Sequence, residues 1–145
     1  MSQRLDFYKA SPQAIKALLG VEQRITQSAL EKPLVELVRL RASQINGCAY
    51  CMDMHSADAR KAGEDTRRLA TLSAWRETPF FSERERAALA WTEALTLVSQ
   101  DHVPDSVWEE VRPQFSDEEL TDLTLLIVAI NGWNRFAIAF RKMPA

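Results

Sequence analysis

Apolar positions in this chain recur at steps of three and four, as in Leu34, Leu37 and Val38, and no stretch sustains the alternation a strand needs. Helix punctuation divides the pattern into segments. Ser11-Pro12 reads as a cap followed by proline at the first helical position, and predicts a helix to about Gln27. Pro33 opens a second over Leu34 to about Ile45. Asn46-Gly47 stops it, because glycine takes the left-handed turn after a helix most readily. A third helix is predicted from about Cys48 to Ala62, ending at Gly63. Asp65 can cap a short helix to about Ser73, and an aromatic connector follows over residues 75–81, broken by Pro79. Ser82 with Glu85, and Ser116 with Glu119, have capping-box spacing and predict helices over about 82–100 and 116–130. Pro104 opens a shorter helix to about Val111, and a last helical segment is predicted over Trp133 to Arg141. The expected fold class is all-α, a compact bundle of six to eight helices.

At 145 residues the chain can bury a real core without disulfide staples. It shows no internal repeat and no internal boundary, so one domain over 1–145 is expected. Its 18 basic and 20 acidic residues leave a charge of -2, and no basic cluster is interleaved with aromatics. That pattern argues against a nucleic-acid partner. Met1 to Ala10 has no apolar run of the signal-peptide kind, and Leu125 to Ile130, the longest apolar stretch, is far shorter than a bilayer span. The expectation is a soluble, cytoplasmic protein with no membrane contact. In that reducing compartment two cysteines read as a chemical pair rather than a staple.

Cys48 and Cys51 stand three apart, and Cys51 and His55 four apart, so a helix puts all three on one face. Two thiols one turn apart can close a disulfide with little rearrangement. Both also follow the Asn46-Gly47 break, where free amide hydrogens and the helix dipole favour a thiolate. His55, one turn on, can take or supply a proton. The bland alternative is two small buried hydrophobes beside a core histidine. Position alone does not say which thiol would be attacked first. Glu36 reads by itself as an ordinary acid of an amphipathic helix, His102 as a loop residue, and Asp53 and Asp58 as solvent-facing. Trp75, Phe80 and Phe81 suit a core role better than a substrate entrance or a subunit contact. The apolar run Leu123 to Ile130 is too apolar for a solvated helix and is expected to be buried within the subunit or packed against another.

The run from Glu36 to His55, a glutamate followed twelve residues later by Cys-x-x-Cys-x-x-x-His, resembles the carboxymuconolactone decarboxylase superfamily, in its alkylhydroperoxidase D-like (AhpD-like) branch. The likeness continues through residues 57–63, 75–80, 83–96 and 131–135. It implies an AhpD-like fold and a thiol-dependent peroxidase acting on hydrogen peroxide or an alkyl hydroperoxide. Carried over residue by residue, Cys51 attacks the peroxide and becomes a sulfenic acid. Cys48 supplies a proton and then resolves it as a Cys48–Cys51 disulfide, while His55 and Glu36 form the proton relay. The resemblance implies no cofactor beyond that disulfide. It implies an external dithiol reductant of lipoyl or thioredoxin-like type and a homo-oligomer, trimer or hexamer, which favours a subunit interface for Leu123 to Ile130. The best-studied members carry a second histidine directly before the second cysteine. Here that place is held by Tyr50, whose unperturbed pKa of about 10 makes it a hydrogen-bond donor rather than a proton shuttle at neutral pH.

Other readings compete with the peroxidase. A general dithiol–disulfide oxidoreductase would use the same pair. Two thiolates with His55 and Glu36 would also suffice for zinc, although no second cysteine pair completes a structural site. Lyase chemistry of the carboxymuconolactone decarboxylase type, or an assembly role, is the remaining alternative, and the cysteine pair favours the redox branch.

Overall fold

The computed structural model describes residues 1–145. Its helices are α1 (Phe7–Ala10), α2 (Pro12–Gln27), α3 (Lys32–Asn46), α4 (Ala49–Lys61), α5 (Thr66–Thr71), α6 (Glu83–Thr96), α7 (Val98–Asp101), α8 (Asp105–Val111) and α9 (Asp117–Phe140), with 3₁₀ turns over Leu72–Glu77 and Arg112–Gln114. There is no strand. Seven helices have six residues or more, and α1 and α7 are single turns. The all-α expectation is met.

The punctuation works as the residues predict at most boundaries. Gly47 takes the left-handed conformation (φ 69°) and its N–H closes back onto Ser43 and Gln44 carbonyls. Both capping boxes form, at Ser82/Glu85 and Ser116/Glu119. Two boundaries differ. The helix expected over 82–100 ends at Thr96, where Leu97 leaves helical backbone (ψ 34°), and α7 follows as a separate turn. The two helices expected over 116–130 and 133–141 are one continuous α9. Asn131 is tied down there by Nδ2 bonds to the Ile127 carbonyl (2.9 Å) and to Thr96 Oγ1 (3.0 Å), so Asn131-Gly132 does not act as a stop.

Continuous α9 is long and apolar enough to cross a membrane by length and composition, which the six-residue apolar run did not suggest. In this fold it is the core helix, packed on α2, α3, α4 and α6. Leu123, Leu126, Ile127, Ala129 and Ile130 are buried inside the chain, with only Val128 strongly exposed, at 61%. The subunit interface favoured for this stretch is therefore corrected: its apolar face is consumed by the protein's own core. Helical spacing gave one apolar stripe, and neighbouring helices of the same chain cover it. Trp75 and Phe81 are likewise buried, in a second core cluster with Leu37, Leu72 and Leu89.

Candidate active site

The helical hairpin of α3 and α4 builds the site. Gly47 and Cys48 are its whole connection, so the two helices run back along each other, and α3–α4 packing is extensive. Cys48 is the N-cap of α4, and its sulfur accepts a hydrogen bond from the Cys51 N–H at 3.3 Å. The Cys48 and Cys51 sulfurs are bonded to each other, with Cα atoms 5.3 Å apart. Both are buried, at 1% and 2% exposure.

One turn further along α4, His55 is buried and its Nδ1 lies 3.1 Å from Glu36 Oε2 on α3. The hairpin thus joins two residues nineteen apart in sequence. The other Glu36 oxygen accepts from Arg39 Nη1 at 2.7 Å. Burial pushes the Glu36 carboxyl upward, but the hydrogen bond and charge of His55, with Arg39 behind them, outweigh it and hold Glu36 below the usual carboxylate range. Asp53 and Asp58 are exposed, and His102 caps α7 in an exposed left-handed turn (φ 51°), as expected of a loop residue.

Sequence reading missed the rest of this chain of contacts. Arg39 Nη2 donates to Glu22 Oε2 of α2 at 2.6 Å, and Trp133 Nε1 of α9 donates to Glu22 Oε1 at 2.9 Å. Four helices therefore contribute to one hydrogen-bonded series, Trp133–Glu22–Arg39–Glu36–His55. The available signal was weak: Glu36 and Arg39 are one turn apart on α3, a spacing found on any solvated helix.

A cavity of about 210 Å³ opens onto this series. Cys51, His55, Arg39 and Glu22 supply its polar lining, and Phe7, Tyr8, Tyr50 and Trp133 its aromatic walls. Cys48 is not part of the lining. It packs beneath, with Cys51 and Ala137. The N-terminal segment carrying Phe7 and Tyr8 is docked on the end of α9: the Arg4 N–H donates to the Phe140 carbonyl at 2.9 Å, and the Phe7 ring sits 5.3 Å from that of Phe136. Nothing in the hydrophobic pattern of residues 1–10 marked that segment as part of a site. Trp75, Phe80 and Phe81 do not line the cavity. As for metal ligands, the groups that converge are Glu36, His55 and Asp58, whose donor atoms lie within 4.8 Å of one another. Both sulfurs of the zinc set considered from sequence are engaged in the disulfide.

Residues 10–94, which contain the whole Glu36–His55 constellation, match the carboxymuconolactone decarboxylase family. The chain belongs to that family. Within it the chain falls in the AhpD-like branch. YdfG, an uncharacterised protein of Bacillus subtilis, is 43% identical over 145 residues, covering 100% of this chain and 99% of YdfG. The uncharacterised YnjA of Escherichia coli is 32% identical over 82% of this chain and 64% of its own length. Among solved structures, a protein of unknown function from Agrobacterium tumefaciens, provisionally described as the antioxidant defence protein AhpD, superposes with a TM-score of 0.96 at 42% identity, covering 99% of both chains. An uncharacterised peroxidase-related protein from Silicibacter superposes at 0.79 with 26% identity, over 90% of this chain and 69% of its own. The debrominase Bmp8 shares the fold, at a TM-score of 0.85 and 22% identity over 94% of this chain and 74% of its own.

Proposed function

We propose that this family member is a thiol peroxidase whose reducing equivalents come from Cys48 and Cys51. The observation that carries the reading is the arrangement at the cavity. Cys51 faces the open space beside His55, Cys48 lies behind it within bonding distance, and Glu36 holds the far nitrogen of the imidazole. With Nδ1 engaged by Glu36, Nε2 is the ring nitrogen left to exchange a proton at the sulfur or the leaving oxygen.

In the reduced protein the Cys51 thiolate attacks the outer oxygen of a hydroperoxide. The O–O bond breaks, the leaving oxygen takes a proton to become an alcohol or water, and Cys51 becomes a sulfenic acid. Cys48 then displaces hydroxide from that sulfur, which leaves as water, and the disulfide forms. The sum is one hydroperoxide and two thiols giving one alcohol, one water and one disulfide. A dithiol of lipoyl or thioredoxin-like type returns the pair to thiols in a reducing, cytoplasmic setting. Cavity access favours Cys51 as the attacking sulfur, and the packing of Cys48 behind it, outside the cavity lining, supports the resolving role; the proton-donating role of Cys48 is carried over from the family resemblance. Tyr50 lines the cavity and would position substrate rather than carry protons. Homo-oligomers, a trimer or hexamer, are proposed with it.

The test is a stoichiometric reaction of the reduced protein with cumene hydroperoxide in the presence of a sulfenic-acid trap. Native protein should lose two hydrogens by mass. The Cys48→Ser variant should accumulate trapped sulfenic acid at Cys51, and Cys51→Ser should turn over at less than a hundredth of the native rate. Full turnover by Cys51→Ser would eliminate the mechanism. Carbon dioxide release from a carboxylated lactone, with no thiol consumed, would support the lyase alternative instead.

A further inference from the structure

Two cations differ in what they face: Arg39 lines the cavity, while Lys142 is not among the lining residues and sits against three of the aromatic rings that form the wall. Arg39 spends its charge on Glu22 and Glu36. Lys142, just past the end of α9, has no carboxylate within ion-pair distance. Its ammonium lies 5.0 Å from the ring centre of Tyr50, 5.1 Å from Tyr8 and 5.9 Å from Phe7. All three rings are cavity walls, and Tyr50 directly precedes Cys51. Asp6, the acid that caps α1, is paired with Lys9 at 3.9 Å instead. Aromatic faces orient an ammonium without neutralising it, so the charge of Lys142 stays available to a ligand.

We propose that the cavity takes an amphiphilic organic hydroperoxide bearing a single carboxylate. Its apolar body lies among the aromatic rings, its carboxylate meets Lys142, and its peroxide group reaches Cys51. A monocarboxylate matches the site because one unpaired ammonium is offered there, rather than the cluster of donors a phosphate draws on. The inference rests on the peroxidase reading for its chemistry, and the same balance applies: the peroxide becomes the hydroxy acid as the two thiols become the disulfide. It also gives α1 and the residues after α9 a purpose, since together they close the apolar wall and place the cation.

Binding can be measured on the oxidised full-length protein with no peroxide present, using 4-phenylbutyrate against 4-phenylbutan-1-ol in ligand-observed NMR. The acid is expected to bind at least about tenfold more tightly than the alcohol, with the advantage shrinking as salt is raised. Lys142→Met should bring the acid to within about twofold of the alcohol without altering the alcohol's affinity, and Lys142→Arg should keep most of the preference. Equal binding of acid and alcohol by the native protein, or an undiminished preference in Lys142→Met, overturns the proposal. An unfolded Lys142→Met would show in its melting curve, and the native acid–alcohol comparison then still decides. Since the assay involves no turnover, its failure leaves the Cys51 sulfenic-acid experiment to judge the peroxidase reading separately.

Discussion

Glu36 shows how far one residue's meaning depends on its neighbours. In sequence it is an acid in an amphipathic helix. In the fold it is half-buried, shared between His55 and Arg39, and held in its charged form by them. A carboxyl whose folded pKa lies below its unfolded value near 4.5 binds fewer protons folded than unfolded in the window between the two. Its contribution to stability is therefore complete above about pH 4.5 and disappears as pH falls through the lower, folded value. Glu31, Glu85 and Glu119 are lowered in the same direction, through Arg84 and Arg68 hydrogen bonds and, for Glu119, chiefly through its Ser116 cap. Melting temperatures from pH 6 to pH 3 should fall for the native protein, and fall less steeply for Glu36→Gln; parallel curves would mean that the Glu36 contacts contribute nothing. The variant should also reduce peroxide more slowly, by about a hundredfold if the relay acts as general acid–base catalysis.

At the level of elements, the α3–α4 connection sets the distance between carboxylate and imidazole. Gly47 at φ 69° is what makes that connection two residues long. A side chain there meets no neighbour within 4 Å, so its cost is purely conformational. Gly47→Ala should destabilise the protein by about 1 kcal/mol in urea unfolding while leaving the disulfide able to form. A change above about 3 kcal/mol would show that the turn carries packing as well. The capping boxes, the proline starts and the Gly47 and Gly63 stops were all legible because each acts through bonds within a few residues. The single turns α1 and α7 and the exact end of α6 were not, because no periodic pattern fits into four residues.

At the scale of the whole molecule, α9 organises everything else. Its apolar face fills the main core, and further along the helix Trp133 anchors Glu22 while Asn134 and Asn131 accept from Asn46 at 2.9 Å. Leu126, fully buried at its centre, should cost about 3 kcal/mol when cut to alanine, by the removed surface and the cavity left behind. Thermal or urea unfolding checks this, and a loss below about 1 kcal/mol would indicate that the helices collapse around the gap. That the apolar run of α9 must be covered by something followed from composition, and the family resemblance favoured a subunit interface. What covers it is a matter of where α2, α3 and α6 go, and no local pattern carries that information.

The pair Asn46-Gly47 and Asn131-Gly132 draws the dividing line. The chain itself determined the helices, their caps, and the placing of Cys48, Cys51 and His55 on one face, since these follow from spacing and short-range hydrogen bonds. Tertiary structure decided that one Asn-Gly ends a helix and the other lies inside one. At the second, Ile127 and Thr96 satisfy the asparagine amide that would otherwise compete with the helix, and burial of α9 holds the backbone straight through. Tertiary structure alone also brought Glu22, Arg39, Trp133 and the N-terminal aromatics to Cys51, because long-range contacts leave no trace in the spacing of residues.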